Sequence, residues 1–306
     1  MSDVGGTPAT RVAVIGLGSM GLGMAESLLR AGFAVSGCDL AQPALDRLAM
    51  AGGRPCTTPA EAAEGAAVIV VVVVNAAQTS DVLFGRDGAV PVAPVGAVVV
   101  SSATMAPADA EALARRCEDA GLPFLDAPIS GGAARAATGE LTVMASGPEA
   151  AFAKAGPVLE AVAVKVHRLG DRAGIGASVK MVNQLLAGVH IAAACEAITL
   201  AGKLGLDLDT VYEVITGSAG NSWMFENRIP HVLAGDYTPL SSVEIFVKDL
   251  GIIQDMARTE RYPAPVAAAA LQMYLAAAGS GMGRDDDASL ARVYARLSGV
   301  GLPGDA

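Results

Sequence analysis

The segment Val12-Ala13-Val14-Ile15-Gly16-Leu17-Gly18-Ser19-Met20-Gly21 constrains this chain more than any other. Four apolar residues run straight into three glycines spaced GxGxxG, and an amphipathic stretch follows. Gly16 permits a tight turn, Gly18 lets the backbone approach a pyrophosphate, and Gly21 lets the next helix pack close to the strand. The helix N-terminus then offers free N–H groups and the positive end of its dipole to phosphate. Glycine-rich turns are common, so the pattern alone is weak. Here it follows the first strand, opens a helix and is followed by Asp39, 18 residues past Gly21. An acid at that register accepts hydrogen bonds from the adenosine ribose hydroxyls. Its charge repels a 2′-phosphate, and the next residue is Leu40, not arginine, so NAD is expected over NADP. Gly16, Leu17, Gly18, Ser19, Met20, Gly21 and Asp39 are the candidate cofactor contacts.

The first half of the chain repeats the same alternation. Short β-branched runs at 11–15, 34–38, 67–74, 97–100, 124–127, 141–145 and 164–168 read as strands, with helical patterns at 21–31, 42–51, 59–65 and 107–121. Continuously apolar strands alternating with helices predict a parallel sheet covered on both faces, an α/β doubly wound domain of the Rossmann type. After Gly170-Asp171 only helical patterns follow. The first, roughly 176–204, spans about 40 Å at ~1.5 Å per residue. Others are expected at 208–217, 241–259, 264–280 and 286–299, with Ser241 and Glu244 forming a capping box. The expected organisation is a loose tail over 1–10, a dinucleotide-binding domain over 11–173 and an all-helical substrate and oligomerisation domain over 174–306, joined by the long helix.

Composition narrows the partners. The net charge of −10 argues against nucleic acid or an anionic membrane surface. The greasiest stretch, residues 66–74, is about half the ~20 residues a spanning helix needs, so no membrane segment is expected. The tail has no basic n-region and does not read as a signal peptide. Cys38, Cys56, Cys117 and Cys195 form no CxxC pair, which fits a reducing cytoplasm. His167 and His231 have no ligand-like neighbours in sequence, and His190 reads as structural, so no metal is expected. In so acidic a chain, a small anionic substrate requires a local cation.

Lys180 is that cation. It lies near the start of the long helix, which carries little charge until Glu196. A lysine there either snorkels into water or is partly desolvated, its pKa falling toward neutrality, where it exchanges protons. Asn183 and Gln184, three and four residues on, share its face and are candidate substrate contacts. Upstream, Asp126-Ala127-Pro128-Ile129-Ser130-Gly131-Gly132 leaves a strand and enters a loop. There Ser130, Gly131 and Gly132 can present a hydroxyl and consecutive N–H groups to a carboxylate.

The dinucleotide loop, the Asp126–Gly132 segment, the Lys180 helix start and Lys248-Asp249 stand in the same order as in the β-hydroxyacid dehydrogenases, which the chain resembles over nearly its whole length. That family includes 3-hydroxyisobutyrate dehydrogenase and tartronate semialdehyde reductase. The resemblance implies a catalytic acid/base at Lys180, substrate contacts at Ser130, Gly131 and Gly132, and Lys248 near the nicotinamide. It places Asn75 and Thr104 at the ends of sheet strands beside the cofactor, and it implies a homo-oligomer. Asn75-Ala76 stands where relatives often have Leu-Pro, and Gln184 where many have Asn. The stretches 221–228 and 184–190 resemble a subgroup that oxidises a four-carbon sugar acid, L-threonate, at C2. A dehydrogenase of another short hydroxy acid, such as 3-hydroxyisobutyrate or glycerate, is the rival expectation, and a non-catalytic dinucleotide sensor a more distant one.

Overall fold

A computed structural model of the chain describes residues 10–304. The tail expected over 1–10 lies, except for Thr10, outside them. Among the described residues there are nine strands: β1 Arg11–Ile15, β2 Ala34–Cys38, β3 Arg54–Cys56, β4 Val68–Val71, β5 Val98–Ser101, β6 Phe124–Asp126, β7 Ile129–Ser130, β8 Leu141–Ser146 and β9 Ala163–Gly170. Seven helices accompany them: α1 Gly21–Arg30, α2 Gln42–Met50, α3 Pro59–Ala63, α4 Ala76–Phe84, α5 Pro107–Asp119, α6 Gly132–Thr138 and α7 Glu149–Val162. The remainder is helical: α8 Ile175–Lys203, α9 Leu208–Thr216, α10 Trp223–Ala234, α11 Val243–Thr259, α12 Pro265–Ala277 and α13 Leu290–Ser298. The chain divides into two compact units, one ending at Lys180 and the other beginning at Met181.

In the first unit the sheet order is β3-β2-β1-β4-β5-β6-β8-β7, with β9 also paired to β8. Strands β1 to β6 are mutually parallel, β8 turns antiparallel to β6 and β7, and β9 runs parallel to β8. Alternate residues explain why both faces are dry. Val12, Val14, Val68, Val70, Val98 and Val100 face one apolar cluster. Ala13, Ile15, Ile69, Val71 and Val99 face the other. The register lines up the carboxyl ends: Ile15 pairs with Val71, Val71 with Ser101, and Ser101 with Asp126. Chain order reverses between β1 and β4, the switch point beyond whose strand ends an open α/β sheet binds its ligand.

The second unit has its own core, in which Ile191, Cys195 and Ile198 of α8 pack with Phe225, Ile229, Phe246, Leu250 and Tyr274. Tyr274 stacks on Phe246 at a centroid distance of 5.2 Å and donates its hydroxyl to the Gly188 carbonyl at 3.1 Å. The Arg228 guanidinium pairs with Asp287 at 2.5 Å, and both side chains are buried. The chain's only tryptophan and all five tyrosines lie in this unit, with Trp223 about half exposed.

Two expectations are corrected. Helix α11 begins at Val243 with Ser242 at the N-cap and no side-chain capping bond, so the Ser241–Glu244 capping box does not form. The Ser241 hydroxyl bonds the Asp287 carboxylate instead. Residues 66–74 are the greasiest short stretch, but α8, where no membrane-length segment was expected, is also long and apolar enough by composition to cross a membrane, with half of its most apolar window buried. Its greasiness has a packing cause, since one face supplies the second unit's core.

Candidate active site

The cofactor loop is built as its glycines require. Gly16 has φ +92°, and a Cβ there would lie 2.4 Å from the Val72 carbonyl oxygen. At Gly21 a Cβ would lie 1.9 Å from the Gly16 oxygen, so the helix seats on the turn only without one. Gly18 differs: a Cβ would enter open space, the space a pyrophosphate needs. Among the described residues no side chain caps the first turn of α1, and no acid lies in it, which leaves its N–H groups to an anion. Asp39 follows β2 and is held at both oxygens, Oδ2 accepting from Leu17 N at 2.6 Å and Oδ1 from Ala41 N at 2.8 Å. Each oxygen keeps lone pairs for the ribose hydroxyls. These residues fit a nicotinamide dinucleotide.

Asn75 and Thr104 follow the carboxyl ends of β4 and β5. Asn75 also has a local task, its Oδ1 accepting from Gln78 N at 2.8 Å to cap α4.

Beyond β6 the chain enters β7, where Ser130 pairs with Thr142 of β8. Gly131 at φ +140° and Gly132 at φ +78° then carry it into α6, a route closed to L side chains. A Cβ on Gly132 would meet nothing within 4 Å, so its surroundings are open. Lys180 is only 7% exposed and its ammonium donates to the Ile129 carbonyl at 2.8 Å. The structure therefore brings Lys180, Ser130, Gly131 and Gly132 together within the first unit, and the snorkelling alternative gives way to a buried lysine.

Asn183, Gln184 and Lys248 form a separate group in the second unit. The Lys248 ammonium bonds Asp249, whose carboxylate is fully buried. The Gln184 amide nitrogen donates to the other Asp249 oxygen at 2.5 Å, and the Gln184 oxygen accepts from Asn183 Nδ2 at 3.0 Å. Gln184 is thus a buried bridge, while Asn183, half-buried, keeps its own oxygen at the end of the chain of bonds. Among the described residues no cluster of His, Cys, Asp and Glu is placed to hold a metal ion.

Sequence reasoning left two residues without a role. The buried Asp126 carboxylate accepts from Gly174 N at 2.9 Å and Ala177 N at 2.8 Å, and the Ser146 hydroxyl accepts from Gly176 N at 2.9 Å. Burial pushes the Asp126 carboxyl up to about 6, against the two N–H donors that pull it down. An acid closing an apolar strand was the available signal for Asp126; Ser146 carried none.

A parallel sheet with a phosphate-ready glycine loop at its switch point, and a buried lysine beside a Ser-Gly-Gly loop, defines a dehydrogenase that uses a nicotinamide dinucleotide. The model for the NAD binding domain of 6-phosphogluconate dehydrogenase matches residues 11–170. That for the NAD-binding region of NADP-dependent 3-hydroxyisobutyrate dehydrogenase matches residues 174–294. L-threonate dehydrogenase of Cupriavidus necator is 55% identical over 295 residues, 96% of this chain and 98% of that one. The enzyme of that name from Escherichia coli K12 is 49% identical over 294 residues, 96% of each chain. The crystal structure of 3-hydroxyisobutyrate dehydrogenase from Salmonella typhimurium superposes with a TM-score of 0.90 at 49% identity, covering 93% of this chain and 99% of that one. The chain belongs to the 3-hydroxyisobutyrate dehydrogenase-like family of β-hydroxyacid dehydrogenases.

Proposed function

We propose that the protein oxidises L-threonate at C2 to the 2-keto acid, with NAD as the hydride acceptor. The observation that carries this reading is Lys180, buried and held on the strand that delivers Ser130, Gly131 and Gly132. The substrate is supported by the near-full-length relatives that bear the name L-threonate dehydrogenase. Ser130 and the two glycines hold the carboxylate. The Lys180 amine takes the proton of the C2 hydroxyl and returns it in the reverse direction. When bound, a nicotinamide dinucleotide would supply the acceptor for the hydride that leaves C2. The Asn183 oxygen, oriented through Gln184 and Asp249, receives a distal hydroxyl. Asn75 and Thr104, past the ends of β4 and β5, would contact the nicotinamide, and the family pattern assigns Lys248 a cofactor contact as well. Asp39 sets the preference for NAD.

The name of the Salmonella structure supplies the second reading, 3-hydroxyisobutyrate. NADH formation across L-threonate, D-erythronate, D-threonate, D-glycerate and 3-hydroxyisobutyrate separates the two. A site built to bond hydroxyls rejects an analogue lacking them by roughly 10⁴-fold. A best rate on 3-hydroxyisobutyrate or glycerate overturns the substrate and leaves the chemistry standing. Lys180→Met should lower kcat by ~10²–10⁴-fold with dinucleotide binding intact. Wild-type turnover in that variant would remove the lysine from the mechanism.

Self-association is the matching reading for the helical half. Val179, Val182, Leu186 and Leu200 expose an apolar stripe along α8, and light scattering on the purified chain tests it. Four free, buried cysteines fit a cytoplasmic protein.

A further inference from the structure

We propose that Asp126 is a positioning residue for the Lys180 chemistry. Its carboxylate, with the Ser146 hydroxyl beside it in the sheet, seats the first turn of α8 and thereby fixes where the Lys180 ammonium lies. This rests on the reading of Lys180 as the acid/base.

The geometry is specific. Asp126 and Ser146 are a directly paired couple on antiparallel β6 and β8. Between them they accept three main-chain N–H groups, from Gly174, Gly176 and Ala177, donors that a helix leaves orphaned at its start. The approach is close: a Cβ on Gly176 would lie 2.5 Å from the Met144 carbonyl oxygen, 2.6 Å from the Asp126 main-chain carbonyl oxygen and 3.2 Å from the Asp126 carboxylate. Lys180 lies four residues past Gly176 and three past Ala177, so it projects from the same face of the helix. Its ammonium reaches the carbonyl of Ile129, three residues beyond Asp126 on the same stretch of chain. The short segment from the end of β6 to the start of β7 therefore both anchors the helix and receives the lysine. A slip of one residue at the anchor rotates the lysine by about 100° away from the Ser130 loop. Asp126 itself touches neither substrate nor cofactor in this scheme, because its charge is spent on the helix.

The test is a double-mutant cycle on the full-length protein, with L-threonate and NAD as substrates. Asp126→Ala removes the anchor, and a misplaced lysine should cost roughly 10²-fold in kcat. The Kd for NADH, read from its own fluorescence, should stay within about twofold, since the glycine loop lies on other strands. Asp126→Asn keeps an oxygen facing the two N–H groups and should recover at least about a tenth of the lost rate. In the Lys180→Met background Asp126→Ala should cost almost nothing more, because the group it positions is gone. Ser146→Ala supplies a milder loss by the same route if Asp126→Ala does not fold. An equal loss in both backgrounds, or a parallel rise in the NADH Kd, would reduce Asp126 to a folding residue and overturn the proposal. A fully active Lys180→Met would instead defeat the underlying reading, so the two failures are distinct.

Discussion

Two glycines three residues apart, Gly18 and Gly21, make opposite demands. Gly18→Ala puts a methyl into open space, so thermal stability should hold while the Kd for NADH rises by tenfold or more. Gly21→Ala drives a methyl against the Gly16 carbonyl and should lower stability by about 1–3 kcal/mol, the usual range for overpacking. Calorimetry with a dinucleotide titration separates them; equal melting temperatures would mean that the turn relaxes freely. Asp39 combines both demands. Asp39→Ser should relax the preference for NAD, read as the ratio of kcat/KM for NAD and NADP. It should also weaken both cofactors, because the carboxylate holds Leu17 N. Unchanged preference would exclude Asp39 from cofactor choice. The register of Asp39 after the glycines was legible from sequence. The bond from Gln184 to Asp249 was not, because 65 residues separate them and only packing brings them together.

At the scale of elements, the anchor of α8 carries a pH signature. Burial raises Asp126 from an unfolded value near 3.8 to about 6 in the fold. The folded chain then binds that proton more tightly than the unfolded chain. This contribution to stability is full below the unfolded value and is lost as pH rises through about 6. Wild type should therefore lose about 2 kcal/mol relative to Asp126→Asn between pH 4 and 7, most of the total set by ~1.4 kcal/mol per pKa unit. Paired denaturant melts at the two pH values check this, and a constant difference would mean that the carboxyl titrates normally. Legibility among elements followed length and regularity. The β-branched runs of β1, β4 and β5 declared themselves because both faces are buried. The three residues of β3 and two of β7 are too short for any period to appear. Helices α7 and α10 carry Pro157 and Pro230 inside them, residues that read as breaks. In α4 the run Gln78-Thr79-Ser80-Asp81 interrupts the apolar pattern, and the seven-residue α6 opens on glycine.

The chain divides into two compact units, the first with an apolar cluster on each face of its sheet and the second with a core of its own, so unfolding should not follow a single two-state transition. The Arg228–Asp287 pair gives access to the second core alone. Arg228→Met leaves Asp287 buried beside Asp286 without its cation and should destabilise that unit by about 3–5 kcal/mol. Binding of NADH below the transition should be little affected; a loss under about 1 kcal/mol would show that the pair relaxes or hydrates. The uneven placement of aromatic rings makes such experiments unusually clean. Every tyrosine and the sole tryptophan belong to the helical half, whereas the half with the glycine loop has phenylalanine alone. Emission excited near 295 nm therefore reports on one half of the molecule, and the nucleotide-binding half is optically dark. Any change in Trp223 emission on adding NAD, which does not itself fluoresce, would show that cofactor binding is felt in the helical half.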